Sequence, residues 1–513
     1  MRFEPASRIK FKLKLEKDQI MMLKSKSSQL SQLERQMRAA DSYWEWLVAA
    51  EEYDEVSGAE EWKTRAVSKA YDWKNITSRT ENLRELRRNE DDIGLLFALN
   101  EGIHGNQGGM GKSALYEKAK TGTKHAIVEY VTEVGDALKH LSSLPENEIS
   151  YEEKVDFFDR ASHCFGRSAL MLSGAGSLGH FHTGVVKTLF EHKLLPQVIS
   201  GSSAGSVIAA VLGCYSDTEL AVMFERKSLI CPEGALPDNT WLFNRPQLDV
   251  NDVTAMLEDN VPDLTFQEAY ERTGRMINIT IAPAEEHQTS RLMNAITSPN
   301  VFIRTAVRAS CAVPGVFPPV MLMAKNVYGE PQPYLPDRRW VDGAVTDDLP
   351  AKRLARLYGV NHYIVSQANP LALALMGGDK YLPLPKGAKD VWRHAGREML
   401  RSGEEFTRRY LRPWPEVSRA MNMFYSVAAQ EYSGDINVVP SFNFVDPQKL
   451  LGRLTFSEIS ELVREGERAT WPMLAQIKTC TEIGRTLDVI IDHHADHDVR
   501  KIYKKRRHKG TAK

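Results

Sequence analysis

The sequence predicts an α/β fold, with a mostly parallel central sheet flanked by helices and helical regions before and after it in the chain. Three observations carry that expectation. Between about residues 166 and 370, short apolar runs alternate with helical patterns, as parallel strands covered on both faces require. Two strand-to-helix junctions there are glycine-built turns, at 174–179 and 201–205. From about residue 15 to 165 the chain is charge-rich with helical periodicity, and helical patterning returns after 370.

The elements follow in order. The 15–165 region is read as one helical domain, with stretches such as 83–88 and 127–131 as examples. Within it Gly108, Gly109, Gly111, Lys112 and Ser113 imitate a phosphate-binding loop. The pattern demands a glycine where Asn106 stands and a strand before it, and the preceding run 95–99 continues a helix. ATP binding is not expected.

The 166–370 region is read as the α/β domain. Its first strand is the apolar run 168–172, followed after Gly179 by a helix through Val185, Val186, Leu189 and Phe190. A second strand at 197–200 leads into the apolar helix 207–212. Further strands are expected at 276–281 and 363–365, and a helix at 302–307. Residues 371–485 are expected to form a helical extension packing on this domain, with a capping box from Thr455 to Glu458. Residues 486–513 are basic at their end and are expected to lack structure. His493, His494 and His497 lie there, and without a folded scaffold they are not read as metal ligands.

Composition narrows the function classes. Of 513 residues, 42% are hydrophobic and 26% charged, which suits a globular chain with ample core. A net charge of −1 offers no general attraction to nucleic acid, and none is expected as a partner. The cysteines Cys164, Cys214, Cys231, Cys311 and Cys480 are odd in number and unclustered, so neither a disulfide framework nor a zinc site is indicated. Cys214 and Cys311 sit in apolar runs and read as small core residues. The amino terminus lacks the apolar run of a secretory signal, and no stretch approaches the ~20 apolar residues of a spanning helix. A cytoplasmic protein is expected, with any membrane contact peripheral. The stretch from Trp392 to Trp414 interleaves arginine with aromatics and reads equally as an interfacial helix or as a solvated face.

The glycine turns carry the chemistry. A glycine turn opening a helix leaves backbone N–H groups free at the positive end of the helix dipole. The spacing Gly174, Gly176, Gly179 also matches a dinucleotide fingerprint, but that reading needs an acid at the end of the next strand, roughly 20 residues on. Gly201, Ser202 and Ser203 stand there instead. Gly201-x-Ser203-x-Gly205 has the strand-to-helix context of a nucleophile elbow, with Ser202 as a rival lacking the flanking symmetry. Alternatively, Ser203 only caps the helix. A serine needs a base. His180 and His182 begin a helix, and His104, His125, His362 and His394 have no motif around them. Asp342, delivered by a strand-like run and followed by Gly343, is the better candidate, although Asp-Gly is also a common β-turn.

The ordered set Gly174–Gly176–Gly179, Gly201–Ser203–Gly205 and Asp342–Gly343–Ala344 resembles the patatin-like phospholipase family. Residues 309–320 and the helix 302–307 resemble the segment leading to the family's aspartate. Residues 361–370 and the helical region before 165 are similar to one branch, the triacylglycerol lipases of yeast lipid droplets and their plant counterpart. The resemblance implies a patatin-like layered fold and a Ser203–Asp342 dyad that cleaves acyl-lipid esters through an acyl-enzyme. It further implies an oxyanion hole from the backbone of Gly174, Ala175 and Gly176, with Gly179, Gly201, Gly205 and Gly343 as motif glycines. It implies no metal or organic cofactor, and an acyl lipid met at a membrane or lipid-droplet surface. Leu178 and Ser173 stand where plant patatins carry arginine and aspartate, which weakens a plant-type phospholipase assignment. Acyl transfer to a lysophospholipid, or an inactive lipid-binding module, are the competing readings.

Overall fold

Helix caps legible in the sequence organise the first part of the chain. In the computed structural model α1 (Tyr43–Ser57) starts at Ser42, whose side chain accepts from the Glu45 N–H, and stops at a left-handed Gly58. Asp72 and Asp91 cap α2 (Trp73–Arg88) and α3 (Asp92–Asn100) in the same way. The strongest apolar stripe, Ile127, Val131, Val134, Leu138 and Leu141, is the buried face of α4 (His125–Ser143). The structure describes residues 26–510 apart from 226–234, 239, 241–245, 247–248, 286–288, 371, 374–433 and 442–451. The 107–109 segment is a short 3₁₀ turn reached from α3, not from a strand, and the Lys112 ammonium donates to the Ala70 carbonyl at 3.3 Å.

The chain divides into two compact units, Met1–Cys164 with Trp471–Lys513, and Phe165–Thr470. In the second unit, Ala169, Leu170, Met171 and Leu172 are buried in β1 (Arg167–Leu172), which leads to α5 (His180–Glu191). Then come β2 (Val198–Gly201), α6 (Ala204–Cys214), β3 (Met276–Pro283) and β4 (Arg291–Met293). They are followed by α7 (Ile303–Ser310), the β5–β6 hairpin (Met323–Lys325, Pro331–Pro333) and β7 (Trp340–Asp342). The unit closes with α8 (Ala351–Tyr358), β8 (Val360–Ser366), β9 (Ile436–Val438) and α9 (Phe456–Thr470).

Among the described residues the main sheet runs β4-β3-β2-β1-β8-β9, with β7 also paired to β3. The β3–β2–β1–β8–β9 pairings are parallel, while β4 and β7 join β3 antiparallel. Leu172 is in register with both Gly201 and Ser366, so β1, β2 and β8 end level. Loops after those ends converge at the carboxyl edge, where open α/β sheets place their sites.

Two features depart from the sequence reading. Ile436, Asn437 and Val438 form β9 within the segment expected to be only helical, a run too short to show a period. The last helix, α10 (Leu474–Gly510), continues through residues 486–510, expected to lack structure, and clusters with the amino-terminal unit from Trp471 onward. No proline or glycine interrupts 485–509, and Ile483, Leu487 and Ile490 extend its buried face. Within that unit α10 packs along α4, and the His494 ring lies against Tyr151 and Phe158. The Thr455 capping box is present at the start of α9, with the Thr455 N–H to Glu458 at 3.1 Å and the return bond at 3.4 Å.

One packing contact is set by glycines. A Cβ on Gly184 of α5 would run into the Val463 carbonyl, and one on Gly466 of α9 would run into the Phe181 carbonyl. The two helices therefore touch backbone to backbone.

Candidate active site

The elbow is built by close approach. A Cβ on Gly201 would overlap the Gly205 carbonyl, and one on Gly205 would overlap the Leu172 carbonyl, so the turn closes only with glycine at both positions. Between them Ser203 is held at φ 49° and ψ −123°, a left-handed conformation that costs about 1–3 kcal/mol in a non-glycine residue. Ser203 stands at the amino-terminal cap of α6, yet its side chain makes no capping hydrogen bond. The helix-cap alternative therefore lacks its defining contact.

The Ser203 side chain lies close enough to the Asp342 carboxylate to act on its ionisation. Asp342 arrives at the end of β7, where it pairs with Ile281 of β3, and its N–H donates to the Ala312 carbonyl at 3.0 Å. Ser203 and Asp342 are only 8% and 3% exposed, so the pair meets in a largely dry site. Burial pushes the Asp342 carboxyl up to about 7, although the Ala344 N–H, which donates to Oδ1 at 2.8 Å, and the nearby Ser203 side chain pull the other way. Ser202, the rival serine, is fully buried and its hydroxyl donates to the Asp348 carbonyl at 2.9 Å.

The glycine loop lies beside the elbow. A Cβ on Gly174 would sit 3.4 Å from Ser203 Cβ and 3.1 Å from Ala344 Cβ. The three expected donors are not equivalent. The Gly174 N–H donates to Asp348 Oδ1 at 2.7 Å and is already occupied. Those of Ala175 and Gly176 have no hydrogen-bond partner among the described residues. Gly179 backs onto Ala204 of α6, and Gly343 lies against the main chain of Thr280.

Of the two histidines after the loop, burial pushes His180 down to about 4, and both ring nitrogens of His182 are bonded elsewhere. His182 is fully buried, with Nε2–H donating to the Ser173 carbonyl at 3.0 Å and Nδ1 2.7 Å from the Ser366 hydroxyl, which fixes the neutral tautomer. Burial pushes it down to about 4. His362 bonds Ser168 at 3.1 Å. His394, Cys231 and the arginine–aromatic stretch from Trp392 to Trp414 lie outside the described residues.

Sequence reasoning missed two supporting side chains. Ser310 accepts the Ser203 N–H at 2.9 Å and donates to the Thr280 carbonyl at 2.8 Å. Asp348, fully enclosed and pushed up to about 7 by burial, faces the glycine loop. Their only linear signals are a serine ending a helix and an acid six residues past Asp342. A cavity of about 260 Å³ is lined by residues including Val253, Arg308, Cys311, Phe317, Met321 and Ala312, whose carbonyl accepts the Asp342 N–H; Ser203 and Asp342 do not line it. Cys214 is buried as expected, whereas Cys311 is only partly buried and borders this cavity.

Comparison with known proteins adds independent information. Residues 170–355 match the family described as patatin-like phospholipase, and residues 22–163 match a domain of unknown function, DUF3336. The chain is 34% identical over 492 residues to triacylglycerol lipase SDP1L of Arabidopsis thaliana, covering 88% of this chain and 57% of that one. It is 34% identical to triacylglycerol lipase 4 of Saccharomyces cerevisiae, covering 86% and 51% respectively. Triacylglycerol lipase ptl3 of Schizosaccharomyces pombe is 31% identical over 456 residues, 86% of this chain and 93% of that protein. The chain thus spans little more than half the length of the first two. No helix among the described residues is long and apolar enough to cross a membrane.

Proposed function

The chain belongs to the patatin-like phospholipase family, in the branch of the triacylglycerol lipases, and we propose that it hydrolyses the esters of long-chain acyl lipids. One observation carries the reading: Ser203, held at the strained elbow, lies beside a buried carboxylate, Asp342, whose proton affinity burial raises toward that of a working base.

In the proposed reaction Ser203 Oγ attacks the ester carbonyl carbon while its proton passes to Asp342. The carbonyl π pair moves onto oxygen, and the resulting oxyanion accepts hydrogen bonds from the Ala175 and Gly176 N–H groups. Such donors are typically worth about 2.7–4 kcal/mol each in the transition state. Collapse expels the alcohol portion of the lipid, which takes the proton from Asp342 and leaves the acyl group on Ser203. Water then repeats the sequence, giving a fatty acid and free Ser203. The apolar residues of the cavity that Ala312 lines, Val253, Phe317 and Met321 among them, suit an acyl chain. The relatives' names favour triacylglycerol as the substrate, met by peripheral contact with a membrane or lipid-droplet surface.

A panel of triacylglycerols and phospholipids, offered to wild type beside Ser203→Ala and Asp342→Ala, tests the assignment. Fatty acid should be released by wild type alone. Retained ester cleavage in purified Ser203→Ala overturns it.

A further inference from the structure

The 342–348 segment does more than deliver Asp342, and this inference rests on the Ser203–Asp342 reading. Asp348 touches both halves of the site with different atoms. Its carboxylate accepts from the glycine loop, Gly174 N–H to Oδ1 at 2.7 Å, while its main-chain carbonyl accepts from the elbow, Ser202 Oγ–H at 2.9 Å. The second carboxylate oxygen accepts from Asn369 Nδ2, beyond the end of β8, at 3.3 Å. Loops following β1, β2 and β8 thus meet at one residue, six positions after Asp342 in the chain.

The oxyanion site needs two pieces in register: a serine on one loop, and N–H groups of another loop aimed at the oxygen of the same carbonyl. Nothing covalent joins them near the site. Gly174 immediately precedes Ala175 and Gly176, so fixing its N–H fixes the peptide plane from which the two available donors follow. Fixing the Ser202 hydroxyl does the same for the residue before Ser203. We propose that Asp348 is a positioning residue that clamps the glycine loop to the elbow, so that the Ala175 and Gly176 amides face the carbonyl oxygen of an ester bound at Ser203. It touches neither substrate nor reacting atoms in this scheme. Its effect is orientational, of the kind where a displacement of about 1 Å costs on the order of 10²-fold in rate.

Asp348→Ala and Asp348→Asn, compared with wild type, separate positioning from a general structural role. The Asn side chain keeps an oxygen for the Gly174 N–H, and the Ala side chain does not. Measured on the ester that wild type cleaves, Asp348→Ala should lower kcat by roughly 100-fold with KM changed less than about 3-fold. Fluorophosphonate labelling of Ser203 should slow in parallel, because the phosphoryl oxygen uses the same donors. Asp348→Asn should recover to within about 10-fold of wild type. Wild-type kcat in a folded Asp348→Ala overturns the proposal, as does an Asp348→Asn no better than Asp348→Ala. If Asp348→Ala does not fold, Asp348→Asn decides: activity near wild type with an unchanged labelling rate supports the clamp, and a kcat loss of about 100-fold overturns it. An active wild type beside an equally active Asp348→Ala removes this inference alone. A wild type that is neither active nor labelled removes the Ser203–Asp342 reading and this one with it.

Discussion

Ser310 holds Ser203 from behind: its hydroxyl accepts the Ser203 N–H at 2.9 Å and donates to the Thr280 carbonyl at 2.8 Å. The elbow's strained φ of 49° is therefore supported by a side chain from α7 anchored on β3, not by the turn alone. Ser310→Ala leaves a buried backbone N–H and a buried carbonyl without that partner, each unsatisfied group typically costing about 1–3 kcal/mol. The variant should melt several degrees lower and lose kcat roughly 10-fold or more, while Ser310→Thr, which keeps the hydroxyl, should lose less. Calorimetry and ester kinetics on the two variants check this, and equal behaviour of Ala and Thr would refute it.

The pH profile should show an acid limb. In the proposed mechanism Ser203 gives its proton only to an ionised Asp342, and burial pushes that carboxyl up to about 7. kcat/KM, which reports the free enzyme, should therefore rise with pH and level off above about 7. An exposed aspartate, with a pKa near 3.9, gives a flat profile from pH 5 to 8. A profile measured with a soluble ester over pH 5–9 distinguishes these outcomes.

The same burial makes the site a stability liability with a definite sign. Asp342 and Asp348 are both pushed up from 3.8 to about 7 in the folded chain. Below pH 4 both states hold the protons and folding is unaffected. Between pH 4 and 7 the unfolded chain releases protons that the folded chain keeps, so stability falls as pH rises through that window. Above it the penalty is complete, on the order of 4 kcal/mol per group at 1.36 kcal/mol per unit. Asp342→Asn should abolish hydrolysis and raise Tm more at pH 8 than at pH 5. A Tm difference independent of pH contradicts the buried-carboxylate account.

What could be read in advance follows from what is local. β1, the glycine loop, α5, β2 and the elbow were legible because apolar runs and glycine spacing are written in consecutive residues. Asp342 could be nominated but not paired, because the contact with Ser203 exists only after β7 joins β3. Asp348 and Ser310 carry linear signals too weak to nominate them, since their partners lie on other elements. Gly174 shows the opposite error. A motif lists it among three equal donors, whereas its N–H is occupied by Asp348, a distinction that only a hydrogen-bond inventory reveals. The helical continuation to Gly510 was obscured by charge, since high polarity near a terminus imitates an unstructured end.

The α5–α9 crossing ties the site to the far end of its unit. α5 starts at the glycine loop, and its Gly184 faces Val463 while Gly466 of α9 faces Phe181, main chain against main chain. Around them Phe181, Val185, Ile459 and Val463 are buried, so the crossing cannot open without exposing apolar surface. Neither site leaves room for a methyl group, because both obstructing atoms belong to backbone. Gly184→Ala or Gly466→Ala should push the helices apart and destabilise the second unit by about 1–3 kcal/mol, the usual cost of overpacking a core. The rise that alanine brings in helix propensity, about 1 kcal/mol, works against this loss and is smaller than its upper range. The double variant should fall short of the sum of the two, since once either methyl has parted the helices the second is accommodated more easily. Chemical denaturation of the two single variants and the double variant measures that coupling. Strict additivity would mean that the two glycines do not share one crossing.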